Sequence, residues 1–187
     1  MVATEKGPLT LEEFLRLPEE EPALEYDDGE VAQKVSPRGR HARLQGSLTS
    51  RINSLAEPRK LALALPELRT TYEGRSTVPD VAVYAWDRLA RRPDGQLADD
   101  YVTPPDLAIE ITSPEQSVTS LVRKCLWYVA HGVRVALLVD PDDLTVLLVR
   151  PDAILQPLRG ADAIDLADVL PGFELTVDEL FGVLKAD

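Results

Sequence analysis

Four short apolar runs constrain this chain more than any other feature: "VPDVAVY" at 78–84, "DLAIEI" at 106–111, "VRVALLVD" at 133–140 and "LTVLLVR" at 144–150. Each is too short for an ordinary helix, and none approaches the roughly 18 apolar residues of a membrane span. They read as buried strands, the last two joined through "PDD" as a hairpin. Helical spacing surrounds them. Leu44, Leu48, Ile52 and Leu55 recur from His41 to about Ala56, and Val118, Leu121, Val122, Cys125 and Val129 form a stripe within 117–131, stopped by Gly132. Thr10 with Glu13, and Thr176 with Glu179, are capping boxes. The first opens a short helix through Phe14, Leu15 and Leu17, and the second opens a last helix near 176–184. Asp28-Gly29 marks a turn between strands near 24–27 and 30–35. Further strands are expected at 60–65 and 67–72. The order of elements predicts an α/β (α+β) domain spanning residues 1–187, a mixed central β-sheet flanked by helices.

Two of the strands carry a residue that does not belong in an apolar run. Asp80 stands directly behind Pro79 at a strand entrance, and Glu110 lies in the middle of the next strand. Burying an ionised carboxylate without a partner costs several kcal/mol or forces its protonation. Two such acids on adjacent strands suit a hard divalent cation, which takes oxygen ligands and removes the objection to burial. Lys124 lies fourteen residues after Glu110, on the flank of the helix stripe, where its ammonium can stabilise charge on a phosphate. Arg123 points to water. The plainer reading is a turn Asp and a salt-bridged Glu. Asp106, the next Pro-Asp, is too far from Glu110 to share an ion, at about 13 Å along one strand. Asp142 and Asp152 fall in turns.

Charge and cysteine content narrow the setting. Lys and Arg number 20 against 32 Asp and Glu, a formal net charge of −12, which disfavours loose binding to nucleic acid or anionic membrane. The dense basic run is "SPRGRHAR" at 36–43, ahead of a helix N-terminus that favours phosphate. Cys125 is the single cysteine, so no intrachain disulfide forms, and it reads as a small apolar filler in a reducing compartment. The first residues contain no continuous apolar segment of a signal peptide. The expectation is a cytoplasmic protein that does not enter membranes.

Pro-Asp on one strand, an acid in a second and a lysine beyond resembles the PD-(D/E)XK restriction-endonuclease-like superfamily. More narrowly, "LEYDDGEV", "SPRGRHARLQGSL", "VPDVAVY", "PPDLAIEITSPEQS", "KCLWYVAHGV" and "ALLVDPDDLTVLLVR" run in the order of the Uma-type endonuclease family, over about residues 10–155. That resemblance implies a restriction-endonuclease-like core that hydrolyses DNA with Mg²⁺ or Mn²⁺, with Asp80 and Glu110 as metal ligands and Lys124 as the third catalytic residue. The superfamily's usual lysine position, two after the Glu, is Thr112 here, and Ser120 stands where relatives often carry an acid. Glu25 matches a family glutamate and reads either as a further ligand or as one acid among many. His41, Arg40 and Tyr128 are candidate substrate contacts, with packing as the alternative for His41 and Tyr128.

Four expectations follow. Asp80 and Glu110 should share a sheet face, roughly 4–6 Å apart. The Lys124 ammonium should lie within about 6 Å of Glu110. Asp80→Asn should leave the fold intact or slightly stabilise it by relieving repulsion. An outward Trp127 and the apolar hairpin 135–149 suggest a homodimer. A catalytically inactive binding module, or a hydrolase of small phosphate esters, is the competing class, and a divalent-metal titration separates the first of these from a nuclease.

Overall fold

The computed structural model describes residues 8–114 and 116–185. The four apolar runs become β6 (Val81–Ala85), β7 (Leu107–Ile111), β8 (Val135–Asp140) and β9 (Thr145–Arg150). With β3 (Ala62–Pro66) and β10 (Ile154–Arg159) they form a six-stranded mixed sheet in the order β10-β9-β8-β7-β6-β3. Every neighbouring pair is antiparallel except β7 and β8. That parallel step needs a crossover, and α3 (Val118–Ala130) supplies it. A second, antiparallel sheet of β1 (Leu24–Asp27), β2 (Glu30–Gln33), β4 (Thr70–Tyr72) and β5 (Arg75–Thr77) has the order β2-β1-β5-β4. At the β1–β2 turn, Asp28 and Gly29 both have positive φ, 47° and 88°, the type I′ geometry that Asp-Gly favours.

Strand alternation divides the core between the two faces of the large sheet. Val81, Val83, Leu107, Ile109, Leu137 and Val139 point to one side, against Leu44, Leu48 and Ile52 of α2 (Gly39–Ala56) and the terminal α4 (Val177–Gly182). Leu44 and Ile52 have no solvent exposure, so truncating either to Ala would cost about 2–5 kcal/mol. The other face carries Ala82, Ala108 and Ala136 in register across three strands. Small side chains there leave room for α3, whose Leu121, Cys125, Tyr128 and Val129 pack with Ala108, Ala136 and Leu138. Cys125 is fully buried filler. The α3 terminus turns at Gly132 (φ 101°), and Val133 N–H donates to the Tyr128 carbonyl at 3.0 Å, closing a Schellman-type cap.

Several sequence expectations need correction. The first helix, α1 (Leu11–Phe14), ends before Leu15 and Leu17, which are exposed rather than on a packed face. Strand β5 was not anticipated, because "RST" carries no apolar pattern. Trp127 does not face outward. It stacks on His131 at 4.6 Å, meets Tyr72 at 5.1 Å and lies under the Arg75 guanidinium at 4.6 Å, so the β4–β5 hairpin covers it. The hairpin 135–149 is equally occupied, since β8 lies between β7 and β9. Both features behind the dimer expectation are used within the chain. No helix among the described residues is long and apolar enough to cross a membrane.

Candidate active site

Register brings the two anomalous acids together. Val81 pairs with Ile109, Ala82 with Ala108 and Val83 with Leu107, and Asp80 and Glu110 are the next residues on the two strands at the Val81–Ile109 end. They are close enough for the Asp80 charge to raise the proton affinity of Glu110. The pairing continues through side-chain chemistry, because Ile111 N–H donates to Asp80 Oδ2 at 2.7 Å. Both residues are buried, each 2% exposed.

Two lysines neutralise this pair. Lys124, on the flank of α3, donates to Glu25 Oε1 at 2.7 Å and lies 2.9 Å from Glu110 Oε1, inside the distance expected from helical phase. Glu25, from β1, also accepts from Val78 N–H at 2.6 Å. Tyr128, one turn after Lys124 and fully buried, donates its hydroxyl to Glu110 Oε1 at 2.8 Å and so holds the glutamate. Lys34, just past β2, donates to Asp80 Oδ1 at 2.7 Å, Glu67 Oε2 at 2.8 Å and the Val78 carbonyl at 2.9 Å. The Glu25 and Lys124 side chains keep 20% and 16% exposure, against 3% for Glu110. The cluster therefore meets solvent through Glu25 and Lys124.

His41, in the first turn of α2, makes a 3.0 Å hydrogen bond from Nε2 to Asp80 Oδ2 and is buried. It orients the aspartate instead of facing solvent. Arg40 lies apart from the acids. Its guanidinium donates to the Pro141 carbonyl at 2.9 Å and pairs with Asp142. It lines a cavity of about 360 Å³ with His41, Thr112 and Ser113, so it stands beside the cluster's flank. Thr112 turns its hydroxyl to Asp140 Oδ1 at 3.2 Å.

Electrostatics split the two acids. Burial alone would raise Asp80, yet the His41 hydrogen bond and the Lys34 charge hold it well below the usual carboxylate range. Glu110 is pushed up to about 7, chiefly by burial and then by the charges of Asp80 and Glu25 against the pull of Lys124. Burial disfavours the charged form of Lys124, but Glu110 and Glu25 outweigh it and raise its proton affinity. Lys34 is raised likewise by Asp80, Glu110 and Glu67 against burial. The expected repulsion between Asp80 and Glu110 is thus offset in part by ammonium groups, and because Asp80 also holds Lys34, His41 and the Ile111 amide, Asp80→Asn should cost stability instead of being neutral or stabilising. Lys34 was missed from sequence. Its one signal is that it closes the same hairpin that carries Glu25, with its N–H donating to the Ala23 carbonyl.

The donor set suits a hard cation that keeps part of its hydration, since the Asp80 and Glu110 carboxylates provide oxygen donors. Among the described residues no three His, Cys, Asp or Glu side chains form a ready cage. The fit is therefore to an ion held by two carboxylates, with water or substrate completing the set.

Comparison with known proteins gives the chain a family. Residues 11–178 match the Uma2 family, described as "Putative restriction endonuclease", and the chain belongs to that family. Among solved structures it is similar to a putative nuclease of the DUF820 group from Anabaena variabilis ATCC 29413. That similarity has a TM-score of 0.92 and 38% identity, covering 95% of this chain and 100% of the other. No curated protein matches.

Proposed function

We propose that this protein is a divalent-cation-dependent nuclease that hydrolyses phosphodiester bonds in DNA. The observation that carries the reading is the burial of Asp80 and Glu110 together at one end of the β6–β7 ladder, with the Lys124 ammonium 2.9 Å from Glu110. Asp80 and Glu110 would hold Mg²⁺ or Mn²⁺, which when bound supplies an activated water and neutralises phosphate charge. Lys124 places its ammonium at the solvent-facing side of the cluster, where negative charge develops on the phosphoryl oxygens. Glu25 and Tyr128 fix the lysine and the glutamate respectively. His41 and the Ile111 amide fix Asp80. Arg40 stands half-exposed beside the 360 Å³ cavity, positioned for a neighbouring phosphate.

The acidic balance of −12 sets a requirement on DNA approach. The 36–43 run is partly engaged within the chain, with Arg40 on Asp142 and Arg43 on the Val183 carbonyl. A homodimer would bring a second copy of this run alongside the first, in a cytoplasmic protein.

The test is cleavage of plasmid and single-stranded DNA with Mn²⁺ by the wild type, Asp80→Asn and Glu110→Gln, alongside metal-induced shifts in Tm. Cation-dependent cleavage lost in both variants is expected. A wild type that neither cleaves DNA nor gains stability with Mn²⁺ would instead identify a binding module built on the nuclease fold.

A further inference from the structure

Lys34 is the one charged member of the cluster that the proposed chemistry leaves without a task. Its ammonium has three donors, and all three are used, on Asp80 Oδ1, Glu67 Oε2 and the Val78 carbonyl. Its side chain is 9% exposed. Asp80 Oδ2 already receives His41 and the Ile111 amide, so Oδ1 is the oxygen through which Asp80 would take an ion. Lys34 sits on that oxygen.

We propose that Lys34 is a resident competitor for the divalent cation. It occupies Oδ1 of Asp80 in the metal-free protein and retires onto Glu67 and the Val78 carbonyl when an ion takes that oxygen. The inference rests on the reading of Asp80 and Glu110 as metal ligands. An ammonium 2.7 Å from Oδ1 and a dication about 2.1 Å from the same atom would stand within roughly 5 Å of each other, with strong repulsion in a buried setting. The lysine has somewhere to go. Glu67 is half-exposed and is itself held by Gln45 Nε2 at 2.8 Å, so Lys34 gives up one bond of three. Lys124 is arranged differently. It shares Oε1 of Glu110 with the Tyr128 hydroxyl, so its bond to Glu110 does not use the carboxylate's other oxygen.

Calorimetric titration of Mn²⁺ into the full chain tests this without reference to activity. Lys34→Met should bind Mn²⁺ more tightly by about ten-fold or more, because a like charge has been removed from the ligand. Lys34→Arg, which keeps the charge, should bind as the wild type does. Glu67→Gln should bind a few-fold more weakly, and that weakening should vanish in the Lys34→Met/Glu67→Gln double variant, since Glu67 acts through the lysine. If the wild type binds Mn²⁺ and Lys34→Met binds no tighter, the competitor role is wrong while the metal reading stands. If Lys34→Met does not fold, Glu67→Gln decides alone, and wild-type affinity there overturns the proposal. If neither the wild type nor any variant binds Mn²⁺, the metal reading falls and takes this inference with it.

Discussion

Asp80 and Asp106 begin alike. Each follows a proline, each is 2% exposed and each is met by a backbone amide and a cation at opposite ends of the β6–β7 pair. What separates them is the residue beside each. Beside Asp80 at its end of the ladder stands Glu110; beside Asp106 at the other end stands Tyr84, whose hydroxyl is used on the Thr103 carbonyl. Asp106 accepts from Ala85 N–H and from Arg88, which also caps the Pro104 carbonyl and reaches solvent. Its charge is answered locally and completely. Asp80 has a second buried acid beside it, and two lysines from different elements are required to answer the pair. A buried carboxylate with one cation is a structural tie; two buried together draw cations from several elements.

That contrast can be broken in four ways. The largest effect belongs to the cations. Lys124→Met should lower kcat on DNA by about 10²–10³-fold, as for loss of one transition-state donor, whereas Arg88→Met should leave kcat within about two-fold. Equal losses in steady-state kinetics would erase the distinction between the two ends. Next is folding. Asp106→Asn should cost about 1–3 kcal/mol in urea unfolding, because the Ala85 amide or the Arg88 guanidinium loses its acceptor. Asp80→Asn should cost less, since removing its charge also relieves Glu110, and should abolish the Mn²⁺ response.

A smaller and signed effect concerns pH. Glu110 has a folded-state pKa of about 7, above its ordinary value, so the folded protein binds more protons than the unfolded chain between about pH 4.5 and 7. Its contribution to stability is complete below the unfolded value and is lost as pH rises through about 7. Asp80, held below its ordinary value, contributes in the opposite sense and loses its contribution as pH falls under the usual carboxylate range. Glu110→Gln should therefore flatten the metal-free stability profile between pH 4.5 and 7 while leaving the acid limb. An unchanged profile there would mean that Glu110 does not titrate in that window. The smallest effect is at the surface. Arg40→Ala should change stability by no more than about 0.5 kcal/mol, since its pair with Asp142 is half-exposed. A raised KM for DNA in the same variant would place Arg40 on the substrate path.

The legible part of this molecule was the part encoded by local pattern. Asp80 and Glu110 stood out because an acid in an apolar strand is an anomaly that composition alone exposes, and Lys124 because helical phase puts it on the edge of a stripe. Phase also misled. It put Trp127 away from the main stripe, but which surface lies there depends on the β4–β5 hairpin, whose polar "RST" strand has no pattern to read. Lys34 escaped for a related reason. Its partners Glu67, Val78 and Asp80 are 33, 44 and 46 residues away, and nothing near it in sequence distinguishes it from a surface lysine. The Pro-Asp dipeptide did not separate Asp80 from Asp106. Their neighbours at the two ends of the β6–β7 ladder do, and those neighbours are set by tertiary pairing.

The two sheets contribute unequally to the site's lifetime. Asp80 and Glu110 belong to the buried centre of the large sheet, but Glu25 and Lys34 ride on the β1–β2 hairpin, whose second strand is exposed along its whole length and whose first meets β5 at the single pair Tyr26 and Ser76. Such a hairpin opens at a lower free energy than the global transition. When it opens, Lys124 loses Glu25 and Asp80 loses Lys34 together, while the core strands stay protected. Heating should therefore extinguish activity before it melts the fold, and amide exchange at 24–34 should track that loss, with the amides of β7 and β8 outlasting it.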